Sequence, residues 1–163
     1  MFFIHLMSLD ETNKKILNIL QRDDKISYQE MSDKLKMAAS TIHNRVKHME
    51  NEGIIKRYSA VVDPYKVGFN SIALIGLSVD IHKMNEIAEK LSSFDEIHMV
   101  AVASGDHDII IQMLSRDDKA LWKFINKNIK TIDGVNSKMH VSSFLELNKM
   151  DHNIKFKLSE DKN

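Results

Sequence analysis

Along the first third of the chain apolar residues return every three or four positions, and past residue 70 they gather into short runs separated by helical stretches. Ile16, Leu17 and Leu20 share one face of a helix that Asp10 can cap. Ser27, followed at three residues by Glu30, spells a capping box that opens a second helix carrying Met31 and Leu35 on one side. The pattern breaks across residues 36–39, resumes at Ile42, Val46 and Met49, and stops at Gly53, because glycine takes the left-handed C-cap conformation without strain. Three helices result, the last two joined by a tight turn, which is a helix-turn-helix layout.

Beyond Gly53, residues 54–62 are β-branched and apolar-rich and read as a strand or wing, and Asp63, Pro64 and Gly68 punctuate a hinge. Residues 72–79 are a continuous apolar run, Met84, Ile87, Ala88 and Leu91 lie at helical spacing, and residues 97–103 and 109–114 return to strand character around a turn at Gly105. Asp117 can cap a helix with Leu121, Trp122, Ile125 and Ile129 to one side, and Asp133 with Gly134 leads into a last strand over 135–147. The order βαββαβ predicts a ferredoxin-like sandwich, an antiparallel sheet with both helices on one face. Strand 72–79 is apolar on both sides, so the expected cover for the open face is a second copy of the same sheet. The fold class is therefore α+β, a winged helix-turn-helix domain followed by a ferredoxin-like effector and dimerisation domain. The expected bounds are 8–53 for the first domain, 54–70 for the strand and hinge, 71–148 for the second domain and 149–163 for a polar, frayed tail.

Composition narrows the partners. The 163 residues carry a formal net charge of zero, so no global field draws the chain to nucleic acid or membrane, and any DNA affinity is local. The absence of cysteine excludes disulfides and thiolate metal sites and fits a reducing, cytoplasmic setting. No apolar run approaches the roughly 20 residues that span a bilayer. Met1 to Met7 lacks the marks of a secretion signal and is either an extended start ahead of an initiator at Met7 or an arm on the first domain.

With Ile42, Val46 and Met49 inward, helical rotation turns Ser40, Asn44, Lys47 and His48 outward, with Thr41 and His43 on the flanks and Arg45 at the border. Lys34, Lys36, Arg45 and Lys47 form a local basic strip that suits a phosphate backbone, although a solvated helix face has the same composition. The eight histidines are scattered without the paired spacing of a zinc site, the methionines at 31, 49, 84, 99 and 113 read as core filling, and no nucleophile constellation or phosphate-cradling loop is present. Neither a metal, a cofactor nor an enzymatic activity is expected.

Leu9 and Asp10 ahead of Ile16 and Leu17, then Thr41, Ile42, Arg45, Val46, Met49, Glu50, Gly53, Ile54 and Ile55, then Tyr58, Asp63, Pro64 and Gly68, together resemble the Lrp/AsnC transcription regulators. Ser104, Gly105, Asp106, His107 and Asp108 are similar to the signature turn of that family's effector domain, and Asp133, Gly134 and Val135 to its second loop. The resemblance runs over roughly residues 8–149. It implies DNA binding by the first domain, dimers of the second that stack into tetramers or octamers, and an amino acid or related metabolite as effector. Departures are Lys36 in the helix-turn-helix bend, where glycine is usual, Ala38 where serine caps the recognition helix, and Asn13 and Lys25 where an acid and an arginine are commoner.

An α-amino acid needs a carboxylate for its ammonium and amides for its own carboxylate, and a glycine turn bearing Asp106 and Asp108 offers both. The same residues are ordinary hairpin-turn chemistry, so the turn alone leaves both options open. With the resemblance, Gly105 and Asp108 are expected contacts, Asp106 and His107 further candidates, and Thr131, Ile132, Asp133 and Gly134 a loop that reaches a neighbouring subunit's turn. The function expected is a sequence-specific, effector-tuned transcription regulator. The alternatives are a weakly specific DNA-organising protein of the same build, or a metabolite-binding module or small enzyme.

Overall fold

A computed structural model describes residues 9–159, which form two units, the first running to Val61 and regaining the chain from Met150, the second spanning Val62–Lys149. Residues 1–8, and with them the question of Met1 or Met7 as the start, lie outside the described residues.

In the first unit α1 (Glu11–Leu20), α2 (Tyr28–Leu35) and α3 (Ala39–Asn51) pack around Ile16, Met31, Ile42, Val46 and Met49, all fully buried. The starts of α1 and α2 follow their capping residues. Asp10 accepts from the Asn13 amide at 2.7 Å, and Ser27 and Glu30 satisfy each other's amides at 3.1 and 2.8 Å. Residues 54–62 do not form the strand expected of them: among the described residues they pair with no other strand, and the amides of Ile54 and Ile55 both turn back to the Met49 carbonyl at 2.9 and 3.1 Å. The physical reason is that β-branched composition supplies strand propensity but not a ladder partner.

The tail also departs from expectation. Instead of fraying, residues 151–159 are bonded along α1 and its C-cap, to Asn18, Gln21 and Glu11, with Phe156 packed against the helical core.

The second unit is an antiparallel sheet of order β2-β3-β1-β4, built from β1 (Ser71–Val79), β2 (Ile97–Val102), β3 (Ile109–Ser115) and β4 (Val135–Ser143). Helices α4 (Met84–Ser92) and α5 (Asp118–Phe124) cover one face, where Ala73, Ile75, Leu77, Ile109, Ile111 and Met113 meet Ile87, Leu91 and Leu121. The order and the one-sided helices are those of the expected sandwich. Strand β4 ends at Ser143, four residues short of the predicted end, after which the Phe144 amide reaches the Ile72 carbonyl and Leu145 is fully exposed. Trp122 is 45% exposed: it lies one position, about 100°, off the Leu121, Ile125, Ile129 row. Met99 points to the open face and is partly exposed, unlike the buried Met31, Met49 and Met113.

Helix α5 continues into a π-helical turn, Ile125–Ile129, closed by the Lys130 amide on the Ile125 carbonyl at 2.9 Å. This wider turn keeps both Ile125 and Ile129 in the core and delivers the chain into the loop 131–134.

Candidate nucleic-acid interface and effector site

The surface of α3 is built by its own periodicity. Ile42, Val46 and Met49 are fully buried, and the same rotation leaves Ser40, Thr41, His43, Asn44, Lys47 and His48 exposed together on the other side. The helix begins without a side-chain cap: the Thr41 and Ile42 amides bond to the Ala38 carbonyl at 3.0 and 3.2 Å. The bend before it is held by Ser32, whose hydroxyl donates to the Met37 carbonyl at 2.6 Å, and by Lys36 at φ 54°, a left-handed conformation that glycine would adopt freely.

Two of the basic groups have partners inside the unit. Arg45 Nη1 donates to Asp10 at 2.6 Å and to Asn13 at 3.0 Å, so the guanidinium ties α3 to the start of α1 and satisfies the buried Asn13. Bonding to the Asn13 amide, and then the Arg45 guanidinium, holds the Asp10 carboxyl below its ordinary range despite an opposing desolvation. Lys47 pairs with Glu50 at 2.9 Å on the surface, where solvent screens the pair and it yields readily to a phosphate. Glu50 also accepts from the Tyr58 hydroxyl at 3.0 Å; partial burial, reinforced by this bond, pushes the Tyr58 phenol up to about 12. The His43 ring stands edge-on to Tyr28 at 5.1 Å, which fixes its direction on the exposed face.

In the second unit the two expected loops come to the same end of the sheet, on either side of β1. The Asp108 amide donates to the Leu77 carbonyl and its carboxylate accepts from the Val79 amide, both at 2.9 Å, while the next amide, Asp80, donates to the Gly134 carbonyl at 2.8 Å. Asp108 therefore ties the end of the turn to β1 through both its backbone and its side chain. Gly105 and Gly134 sit at φ 130° and 89°, which explains glycine at both places. Asp106 is exposed, whereas His107 folds inward over Gly76 and meets His140 edge-on at 4.8 Å. A Cβ on Gly76 would lie 2.1 Å from the His107 ring, so this strand glycine makes room for the histidine.

A cavity of about 610 Å³ opens beside the second loop, a size typical of small-molecule sites. Thr131, Ile132 and Asp133 line it together with Ile87, Lys90 and Phe94, but none of residues 105–108 does. Asp133 forms an ion pair with Lys83, whose bond holds the Asp133 carboxyl low and the Lys83 ammonium high. The Thr131 hydroxyl donates to the Lys127 carbonyl at 2.9 Å. Lys83, Lys90 and Phe94 carry no local sequence signal for this site. Only the fold brings α4 against the loop some forty residues further on.

Residues 9–56 match the winged helix-turn-helix DNA-binding model, and residues 72–150 match the Lrp/AsnC ligand binding domain. The HTH-type transcriptional regulator FL11 of Pyrococcus furiosus is 37% identical over 127 residues, 78% of this chain and 83% of that protein. The chain belongs to the Lrp/AsnC family of transcription regulators. The regulator LrpA of Pyrococcus horikoshii is 35% identical over 127 residues, 78% of this chain and 90% of the other. Among solved structures, AsnC of E. coli aligns with a TM-score of 0.83 at 27% identity, covering 90% of this chain and 98% of that one. A Neisseria meningitidis transcriptional regulator solved with L-methionine shares the fold, with a TM-score of 0.83 at 24% identity over 90% of this chain and 96% of its own. As an Lrp/AsnC member the protein is a DNA-binding transcription regulator with a ligand-binding domain. The relatives named above are transcriptional regulators, and no helix among the described residues is long and apolar enough to cross a membrane.

Proposed function

We propose that this Lrp/AsnC protein reads specific DNA sites through the outward face of α3, and that an amino acid or related metabolite tunes its assembly. The observation that carries the reading is the clean division of α3, with six hydrogen-bonding side chains exposed and three aliphatic or thioether side chains fully buried on one two-sided helix. Ser40, Thr41, His43, Asn44, Lys47 and His48 then face the major groove, and Arg45, anchored to Asp10 and Asn13, orients the helix from behind. A chain with no net charge gains little nonspecific attraction, so two recognition helices from a dimer must engage half-sites about one helical turn apart.

For the effector, Gly105, Asp106, His107 and Asp108 of one copy and Thr131, Ile132, Asp133 and Gly134 of a neighbour supply a carboxylate for an ammonium group and turn amides for a carboxylate. The methionine bound to the Neisseria regulator supports an amino acid as the ligand class. Binding between copies favours one assembly of dimers, tetramer or octamer, over the other and shifts how many half-sites are held together. The setting is the cytoplasm, where both DNA and free amino acids are met.

The test is a thermal-shift and light-scattering screen of the common amino acids, repeated on Asp106→Ala. Asp106 is the better probe because Asp108 also clamps Val79. At least one amino acid should change particle size in the native protein and not in the variant. An equal response in the variant places the ligand elsewhere, and equal affinity for promoter and random duplex at moderate salt assigns the protein to weakly specific DNA organisation.

A further inference from the structure

The side of α1 that carries Asn18, continued by the C-cap residue Gln21, is a ready-made receptor for an extended peptide, and the chain's own tail lies in it. Asn18 exchanges two bonds with Phe156, donating through Nδ2 to its carbonyl at 2.9 Å and accepting from its amide at 3.1 Å. One turn on, Gln21 does the same with Ile154, at 3.0 and 2.6 Å. Two side-chain amides thus imitate the edge of a strand, reading alternate residues of an antiparallel peptide. At the first clamp the Phe156 side chain packs against the helical core, and at the far end the Ser159 amide donates to the Glu11 carboxylate at 3.0 Å. That carboxylate, bonded to Lys14 and to Ser159, is held down at about 2.

The strap ends where the recognition helix is tethered. Glu11, which takes the strap, adjoins Asp10, which takes Arg45 of α3. We propose that residues 151–159 are a releasable strap whose docking on α1 sets the position of α3 through Asp10 and Arg45, so that strap docking and DNA binding strengthen each other. By linkage the coupling is reciprocal: whatever factor the strap adds to DNA affinity, DNA adds to strap affinity. The effect rests on DNA binding by α3, whereas the strap itself is a property of the first unit alone.

Hydrogen exchange on the full chain tests the strap without DNA. The amides of Ile154 and Phe156 are expected to be protected, and Asn18→Ala/Gln21→Ala, which removes only clamp side chains, is expected to speed their exchange by about tenfold or more. The same variant should bind operator duplex about fivefold more weakly, the lower end of typical couplings between sites. Phe156→Ala should act in the same direction; should that variant fail to fold, the double variant still decides. Unprotected amides in the native chain overturn the strap, and unchanged DNA affinity in the double variant overturns the coupling. Protected amides in a native chain that does not bind DNA through α3 would instead retire the recognition-helix assignment and, with it, the coupling.

Discussion

Replacing Gly76 with alanine is expected to destabilise the second unit only while His107 is present. The added Cβ would sit 2.1 Å from His107 Cδ2 and 2.5 Å from Cγ and Nε2, well inside contact distance, and the ring also meets His140 edge-on at 4.8 Å. Forcing one carbon into a filled space costs about 1–3 kcal/mol. Once His107→Ala has emptied the space, the same substitution should gain about 0.5–1 kcal/mol, since glycine within a strand loses more backbone freedom on folding than alanine. The coupling between the two positions is therefore about 1.5–4 kcal/mol. Trp122, the chain's one tryptophan, sits on α5 of the same unit, so urea unfolding of the four proteins followed by its fluorescence measures the cycle. Equal costs for Gly76→Ala in both backgrounds, or a cost below about 0.5 kcal/mol with His107 present, would show that the ring swings aside freely and would refute the packing argument.

Two further outcomes concern the first unit. Lys36 occupies a left-handed conformation that costs a side-chain-bearing residue about 1–2 kcal/mol, so Lys36→Gly should raise stability by about 0.5–1 kcal/mol after the looser unfolded chain is counted, and a loss in chemical denaturation would contradict this. Asp10 has its folded pKa depressed below 3.8, so its stabilising effect is complete above that value and fades as pH falls through the lower folded one. Asp10→Asn keeps a capping oxygen but should flatten this acid limb in melts between neutral pH and pH 2; an unchanged limb places the titration on another group.

How much of this was legible in the sequence depended on the range of the interaction. The Ser27 and Glu30 box and the Asp10 cap act within one turn, and both stand where their spacing placed them. The division of α3 into buried and exposed faces followed from helical period alone, and β1 from its unbroken apolar run. Residues 54–62 had a strand's composition, yet composition does not say whether a partner strand is within reach. Arg45 looked like one more base on a polar face, because nothing local marks Asp10 and Asn13, more than thirty residues earlier, as its partners. The tail was misjudged for the same reason: one aromatic, Phe156, among charged neighbours reads as solvent-exposed chain until Asn18 and Gln21 are seen to receive it. For the effector site, glycine at 105 and 134 was readable from turn chemistry, whereas Lys83, Lys90 and Phe94 join the loop only through the packing of α4.

The central claim is that the exposed side of α3 contacts DNA, and the double substitution Asn44→Ala/Lys47→Ala tests it most directly. Both side chains point to solvent, so the melting curve should match that of the native protein while affinity for an operator duplex falls at least about tenfold, given about 1–3 kcal/mol for a good base contact. Undiminished operator binding by a variant with a native melting curve would contradict it.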